Sequence, residues 1–178
     1  MEGKDCCNHT CHCTSTNKSV CQTLSEMDWD RGIWNAAYSG DKERITQLIH
    51  KSRNVVETVN TQDNAGYTAL HYAARNGHLD ICKLLILNGA YIDSQTKSGK
   101  ATPLHKAAAT GKLSTLKFLI DSGANIELQD DDGKNVLHKA IEYKHFDLID
   151  YLLEACPNLK NVRDKKGVLP LDNSVMAP

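Results

Sequence analysis

Cys6, Cys7, His9, Cys11, His12 and Cys13 crowd soft thiolate and imidazole donors into eight residues, the ligand types preferred by zinc or copper(I). Adjacent Cys6-Cys7 and alternating Cys11 and Cys13 do not form the paired knuckles of a zinc finger, and residues 1–25 offer little to fold around. Two readings stay open: a metal-binding or redox-responsive tail, and a disordered tail whose thiols take up metal only adventitiously. A second set of candidate groups, His71, His105 and His138, lies farther along the chain. Each is embedded in a similar local sequence, the mark of a structural position, and no acid, base and nucleophile set accompanies them. Nothing resembles a nucleophile elbow or a phosphate loop, so the expectation is a protein without catalysis, resident metal or cofactor.

The segments that carry these histidines must position them, and they are copies of one another. Gly66-Tyr67-Thr68-Ala69-Leu70-His71-Tyr72-Ala73-Ala74 recurs as Ala101-Thr102-Pro103-Leu104-His105-Lys106-Ala107-Ala108 and as Gly133-Lys134-Asn135-Val136-Leu137-His138-Lys139-Ala140. Leu70, Leu104 and Leu137 are 34 and 33 residues apart, the extra residue falling at Gly99-Lys100. A second pattern follows each first one, as in Leu84-Leu85-Ile86-Leu87-Asn88-Gly89-Ala90 and Phe118-Leu119-Ile120-Asp121-Ser122-Gly123-Ala124. A period of this length signals a stacked repeat, in which each unit buries its apolar face only against its neighbours.

Local chemistry supports two helices per unit. Thr68, Thr102 and Asn135 stand where a side-chain oxygen can cap a first helix, and Pro103 fits the first helical position. Gly77 and Gly111 end the first helices, and Gly89 and Gly123 end the second. The alanine pairs Ala36-Ala37, Ala73-Ala74 and Ala107-Ala108 allow first helices to approach closely. Leu79, Ile81, Leu84 and Leu85, like Leu113, Leu116, Leu119 and Ile120, give the second helices an apolar face.

These repeats resemble the ankyrin family, whose unit is a β-turn plus an antiparallel helix pair with a Thr-Pro-Leu-His-x-Ala signature. The fold expected is an all-α repeat solenoid of about four repeats with a truncated C-terminal half-repeat. Its boundaries are read as a tail at 1–25, a capping repeat at 26–60, repeats at 61–95, 96–128 and 129–161, a partial repeat at 162–172 and a tail at 173–178. The first repeat has Trp34 in place of the usual histidine and a longer connection within residues 51–60. The fourth has Lys144 and Cys156 where glycines are usual. With so little chain after Asp172, the fourth repeat is expected to be less covered than the family pattern.

The resemblance also implies that the β-turn tips and exposed first-helix positions form a concave groove that binds protein. Carried over position by position, the expected contacts are Tyr38 from the cap, Asn64, Tyr67, Arg75 and Asn76 from the second repeat, Ser98, Lys100 and Thr110 from the third, and Asp131, Lys134, Glu142 and Tyr143 from the fourth. The family's histidine is expected to bond within its turn and to join repeats.

Composition agrees with such a role. The 178 residues are 40% apolar and 24% charged, a globular balance, and a net charge of −1 offers no general pull toward nucleic acid or anionic membrane. No apolar run is long enough to span a bilayer, and the cysteines have no disulfide framework, so the cytosol or nucleus is expected. Lys97, Lys100, Lys106, Lys112 and Lys117 against Asp121 make the third repeat locally basic, with Asp130-Asp131-Asp132 next to it. This pattern reads either as a compensated solvated surface or as a charge-patterned groove that selects a partner. The expected occupant is another protein or an extended peptide, bound to a monomer.

Overall fold

The computed structural model describes residues 32–172. Among them are nine α-helices and no strand. Helices α1 (Ile33–Ser39) and α2 (Lys42–Lys51) form the first pair. After α3 (Val55–Asn60) come α4 (Ala69–Asn76) and α5 (Leu79–Leu87), α6 (Pro103–Ala109) and α7 (Leu113–Asp121), then α8 (Val136–Glu142) and α9 (Phe146–Ala155). Two 3₁₀ turns, Pro157–Asn161 and Pro170–Asp172, follow.

First helices are short, rich in alanine and stacked in chain order: α1 on α4, α4 on α6, α6 on α8, and α8 on the turn at Pro170–Asp172. Ala36, Ala37, Ala73, Ala74, Ala107, Ala108 and Ala140 are fully buried, which brings the backbones together without a large side chain between them. Second helices carry larger residues, including buried Ile45, Leu85, Leu116, Leu119 and Leu152. Among the described residues, only α5 and α7 of the second helices make more than slight contact with each other.

Between pairs, the chain projects as fingers. Asp63, Asp130 and Asp164 each accept on Oδ1 the backbone N–H groups two and four residues on: Ala65 and Tyr67 at 2.9 and 2.8 Å, Asp132 and Lys134 at 2.9 and 2.8 Å, Lys166 and Val168 at 2.9 and 2.9 Å. One backbone bond joins each finger to the next, from Lys97 to Ala65, Asp131 to Gly99 and Lys165 to Asp132. Two glycines make this contact feasible. A Cβ on Gly66 would collide with the Lys97 backbone nitrogen, and one on Gly133 would lie 2.7 Å from that of Lys165.

The connection expected within residues 51–60 contains a helix of its own. Asn54 caps α3 by accepting the Glu57 N–H at 3.2 Å, buried Val59 anchors it, and Asn60 donates from Nδ2 to Gly89 O at 2.8 Å. The excess length is thus folded against the second repeat. Trp34, standing where the histidine is usual, donates from Nε1 to Thr61 O at 2.9 Å and so joins the first repeat to the next by another route. In the fourth repeat Lys144 takes the left-handed turn at φ 59° without a glycine, whereas Cys156 keeps a negative φ of −146°. The turn at Pro170–Asp172 covers α8 and the turn at Pro157–Asn161 packs on α9, with Pro170 and Leu159 buried, but Phe146 on α9 remains 55% exposed.

The finger contact generates a stability test. Gly66→Ala must resolve a backbone collision as well as adopt a left-handed φ, and should lower unfolding free energy by about 3 kcal/mol. Gly99→Ala, with nothing within 4 Å of its added Cβ, should cost only the conformational part, about 1 kcal/mol. Urea unfolding of the two variants checks the order.

Candidate binding face

The three histidines are built into the stack. Thr68, Thr102 and Asn135 each donate a backbone N–H to the Nδ1 of the histidine three residues later, at 3.1, 3.3 and 3.2 Å. With Nδ1 accepting, the neutral ring carries its proton on Nε2. That nitrogen donates to the next unit, to Ala101 O at 3.1 Å from His71, Lys134 O at 3.2 Å from His105 and Val168 O at 3.3 Å from His138. Burial pushes the pKa of His71 down to about 4 and also lowers those of His105 and His138. These imidazoles hold neighbouring repeats together and are not aimed at a ligand.

Other groups missed at the level of sequence serve the same purpose. His78 bonds Tyr38 O through Nε2 at 3.1 Å, and His145 bonds Ala109 O at 3.2 Å. The finger aspartates recur as Asp63-x-x-Gly66, Asp130-x-x-Gly133 and Asp164-x-x-Gly167, a signal present in the sequence. Cys82 is buried with its thiol pushed up to about 12, which leaves almost no thiolate for redox chemistry. Among the described residues no cluster of His, Cys, Asp or Glu could hold a metal ion. The Cys6, Cys7, His9, Cys11, His12 and Cys13 cluster lies outside the described residues.

The fingers and first helices form one continuous face, where the expected contacts divide by what their polar groups already do. Asn76 donates from Nδ2 to Tyr38 O at 2.6 Å, and Thr110 donates from Oγ1 to Arg75 O at 2.7 Å, so both tie adjacent first helices. Lys134 pairs with Glu142 at 2.9 Å, and Lys100 with Asp131 at 3.5 Å across adjacent fingers. Asn64, Arg75, Ser98 and Tyr143 are exposed, and Tyr143 retains 53% of its accessible surface.

Aromatic rings line the early part of this face. Tyr67 stacks on Tyr72 with ring centroids 5.3 Å apart, and Tyr38 meets Tyr72 edge-on at 6.3 Å. Tyr72 donates its hydroxyl to Asp63 Oδ2 at 2.6 Å. Lys106 donates from Nζ to the Tyr67 hydroxyl at 2.8 Å and lies 4.7 Å from that ring's centroid. Between the third and fourth fingers, Ser98, Gly99, His105, Lys106, Asp131 and Tyr143 line part of a pocket of about 210 Å³.

The charges of the third and fourth repeats sort differently from the linear pattern. Lys117 lies on a second helix, 4.8 Å from the Tyr151 ring centroid, whereas Lys106 lies on a first helix, so the five lysines do not share a face. The three aspartates also part company. Asp130 has a 6% exposed side chain and pairs with Lys139 at 2.8 Å, while Asp132 is exposed. Although burial raises its pKa, bonds from Lys139 and the backbone N–H groups outweigh that effect and hold the Asp130 carboxyl below its ordinary range.

A family model for ankyrin repeats in three copies matches residues 11–96 and 85–164. Ankyrin repeat domain-containing protein 39 of Homo sapiens is 50% identical over 91 residues, 51% of this chain and 45% of that protein. Its Bos taurus counterpart is 51% identical over 73 residues, 41% of this chain and 36% of that protein. BCL-6 corepressor-like protein 1 of Mus musculus is 35% identical over 83 residues, 47% of this chain but 4% of its own length. The chain thus spans less than half the length of these relatives.

Two measurements check the assignment of buried polar groups. Asp130→Ala strands Lys139 and two finger N–H groups and should cost about 2–3 kcal/mol, against at most about 0.5 kcal/mol for Asp132→Ala. The histidines set a pH dependence: the unfolded His71 ring gains a proton near its ordinary 6.5, whereas the folded ring resists until about 4. Its contribution is therefore complete above 6.5 and lost as pH falls toward 4. The urea midpoint should drop across that window, and less steeply in His71→Gln.

Proposed function

Because the chain belongs to the ankyrin-repeat family, we propose that it is a non-catalytic scaffold or adaptor that binds another protein or an extended peptide along the face of fingers and first helices. Ankyrin repeats are in general modules of protein–protein interaction, and what is specific here is the choice of surface. The reading is carried by one observation: Tyr38, Tyr67 and Tyr72 form a contiguous aromatic ladder on that face, with Tyr143 exposed farther along it. Tyrosine buries a large area while keeping a polar tip, which is why it anchors interfaces. At about 10 Å between helix pairs, four repeats offer roughly 40 Å, the length of about twelve extended residues.

Within this face Tyr67, Arg75 and Tyr143 are the anchors. Asn64 and Ser98 contribute from finger tips, while Asn76 and Thr110 shape the surface through the helices they tie. The protein works as a monomer in the cytosol or nucleus. No described helix is long and apolar enough to cross a membrane, and both described cysteines are free thiols.

Proximity labelling in cells tests the surface. An Arg75→Glu, Tyr143→Ala variant should lose the wild-type neighbours, at a cost of about 2 kcal/mol per anchor, with its far-UV circular dichroism unchanged. Leu87→Ser, at an 85% exposed position on the second helix α5, should keep them. Equal labelling by all three proteins excludes the face.

A further inference from the structure

Equivalent positions of the repeats show one place where an internal partner is missing. Two residues after the core leucine of each first helix stand Tyr72, Lys106 and Lys139. In the second repeat this residue reaches its own finger, Tyr72 donating to Asp63 Oδ2 at 2.6 Å. In the fourth, Lys139 pairs with Asp130 Oδ2 at 2.8 Å. The third finger departs from the pattern because its first residue is Thr96, whose single oxygen accepts the Ala101 N–H at 3.1 Å and donates to Ser98 O at 2.9 Å. It also holds one residue more, turned by Gly99 at φ 88° and Lys100 at φ 44°. Thr96 can close the finger as aspartate does, but it has no second oxygen to offer.

Lys106 is therefore left without the carboxylate that its counterpart possesses. It turns instead to the neutral Tyr67 hydroxyl, and among the described residues no carboxylate lies within ion-pair distance of it. Its side chain lines the pocket of about 210 Å³, far larger than the roughly 10–15 Å³ that admits one water. Arg75 and Lys97, exposed on the same half of the face, also lack an ion-pair partner among the described residues. Across the pocket, Lys139 and Lys100 match Asp130 and Asp131, leaving Asp132 as the opposing charge. Among the described residues, two carboxylates on this face also lack a cation, exposed Asp132 and half-buried Asp63, the latter occupied by the Tyr72 hydroxyl and finger N–H groups. Three unmatched cations against two carboxylates favour an acidic occupant.

We propose that the groove takes an acidic segment of its partner, one Asp or Glu side chain entering the pocket and pairing with Lys106 in the place that finger aspartates fill in the neighbouring repeats. The inference rests on the groove reading and adds the chemistry that the groove selects. The Tyr67 ring and hydroxyl hold the ammonium in place beforehand, so less side-chain entropy is lost when the carboxylate arrives.

The test uses the full chain and an array of peptides about twelve residues long, matched to the face, with Asp, Glu, Asn, Gln, Lys or Ala fixed in turn at each position. Wild-type protein should favour Asp or Glu over Asn or Gln about tenfold at one position. Lys106→Met should abolish that preference, and Lys106→Arg should keep it. Thr96→Asp supplies the missing carboxylate from within: it should also abolish the preference, while its thermal midpoint stays at or above the wild-type value. Acid preference that survives both Lys106→Met and Thr96→Asp overturns the proposal. Peptides that bind without acid preference, and are lost on Tyr143→Ala, overturn it while leaving the groove reading intact. If wild-type protein retains no peptide, both readings fall.

Discussion

Each helix pair is too small to bury its apolar face alone, so the structure depends on contacts between successive repeats, and the buried imidazoles supply their directional part. A histidine three residues after each cap accepts a bond inside its own unit and donates one to the next. The ring must be neutral to do both, and its burial keeps it so. Alanines beside it let the backbones approach, while the bond between units limits how far one can slide against another. Where the histidine is absent, Trp34 and helix α3 provide the link to the second repeat by other means.

A structure built from copies makes its departures informative. Asp63 and Asp130 perform two tasks, closing the finger on one oxygen and receiving the first-helix side chain on the other. Thr96 performs only the first. The unmatched Lys106 follows from that one replacement, and it falls beside the pocket together with the longer third finger. The fourth repeat, by contrast, forms internal ion pairs, Lys139 with Asp130 and Lys134 with Glu142. One face therefore has an aromatic, cationic half and a half whose charges are largely matched.

Groups that appear reactive as isolated side chains are mostly structural here. His71, His105 and His138 are held neutral, the Cys82 thiol is held protonated, and Asp130 is held ionised by the lysine and backbone groups around it. The exposed groups that remain, among them Tyr143, Arg75 and Ser98, suit recognition because they lie on one surface at spacings set by the stack.

Much of this was legible in the sequence because it depends on short-range chemistry repeated at a fixed period. The 33- and 34-residue spacing, the Thr and Asn caps, Pro103 and the turn glycines specify helix pairs through contacts a few residues apart. The helix within residues 51–60 was not legible, because Asn54, Val59 and Asn60 acquire their roles only against the second repeat. Nor could residue type tell Asp130 from Asp132, or the five lysines of one repeat from each other. Burial, pairing and the face on which a side chain emerges arise when segments more than thirty residues apart come together, and that long-range geometry separated the aspartate that closes a finger from the lysine left without a carboxylate.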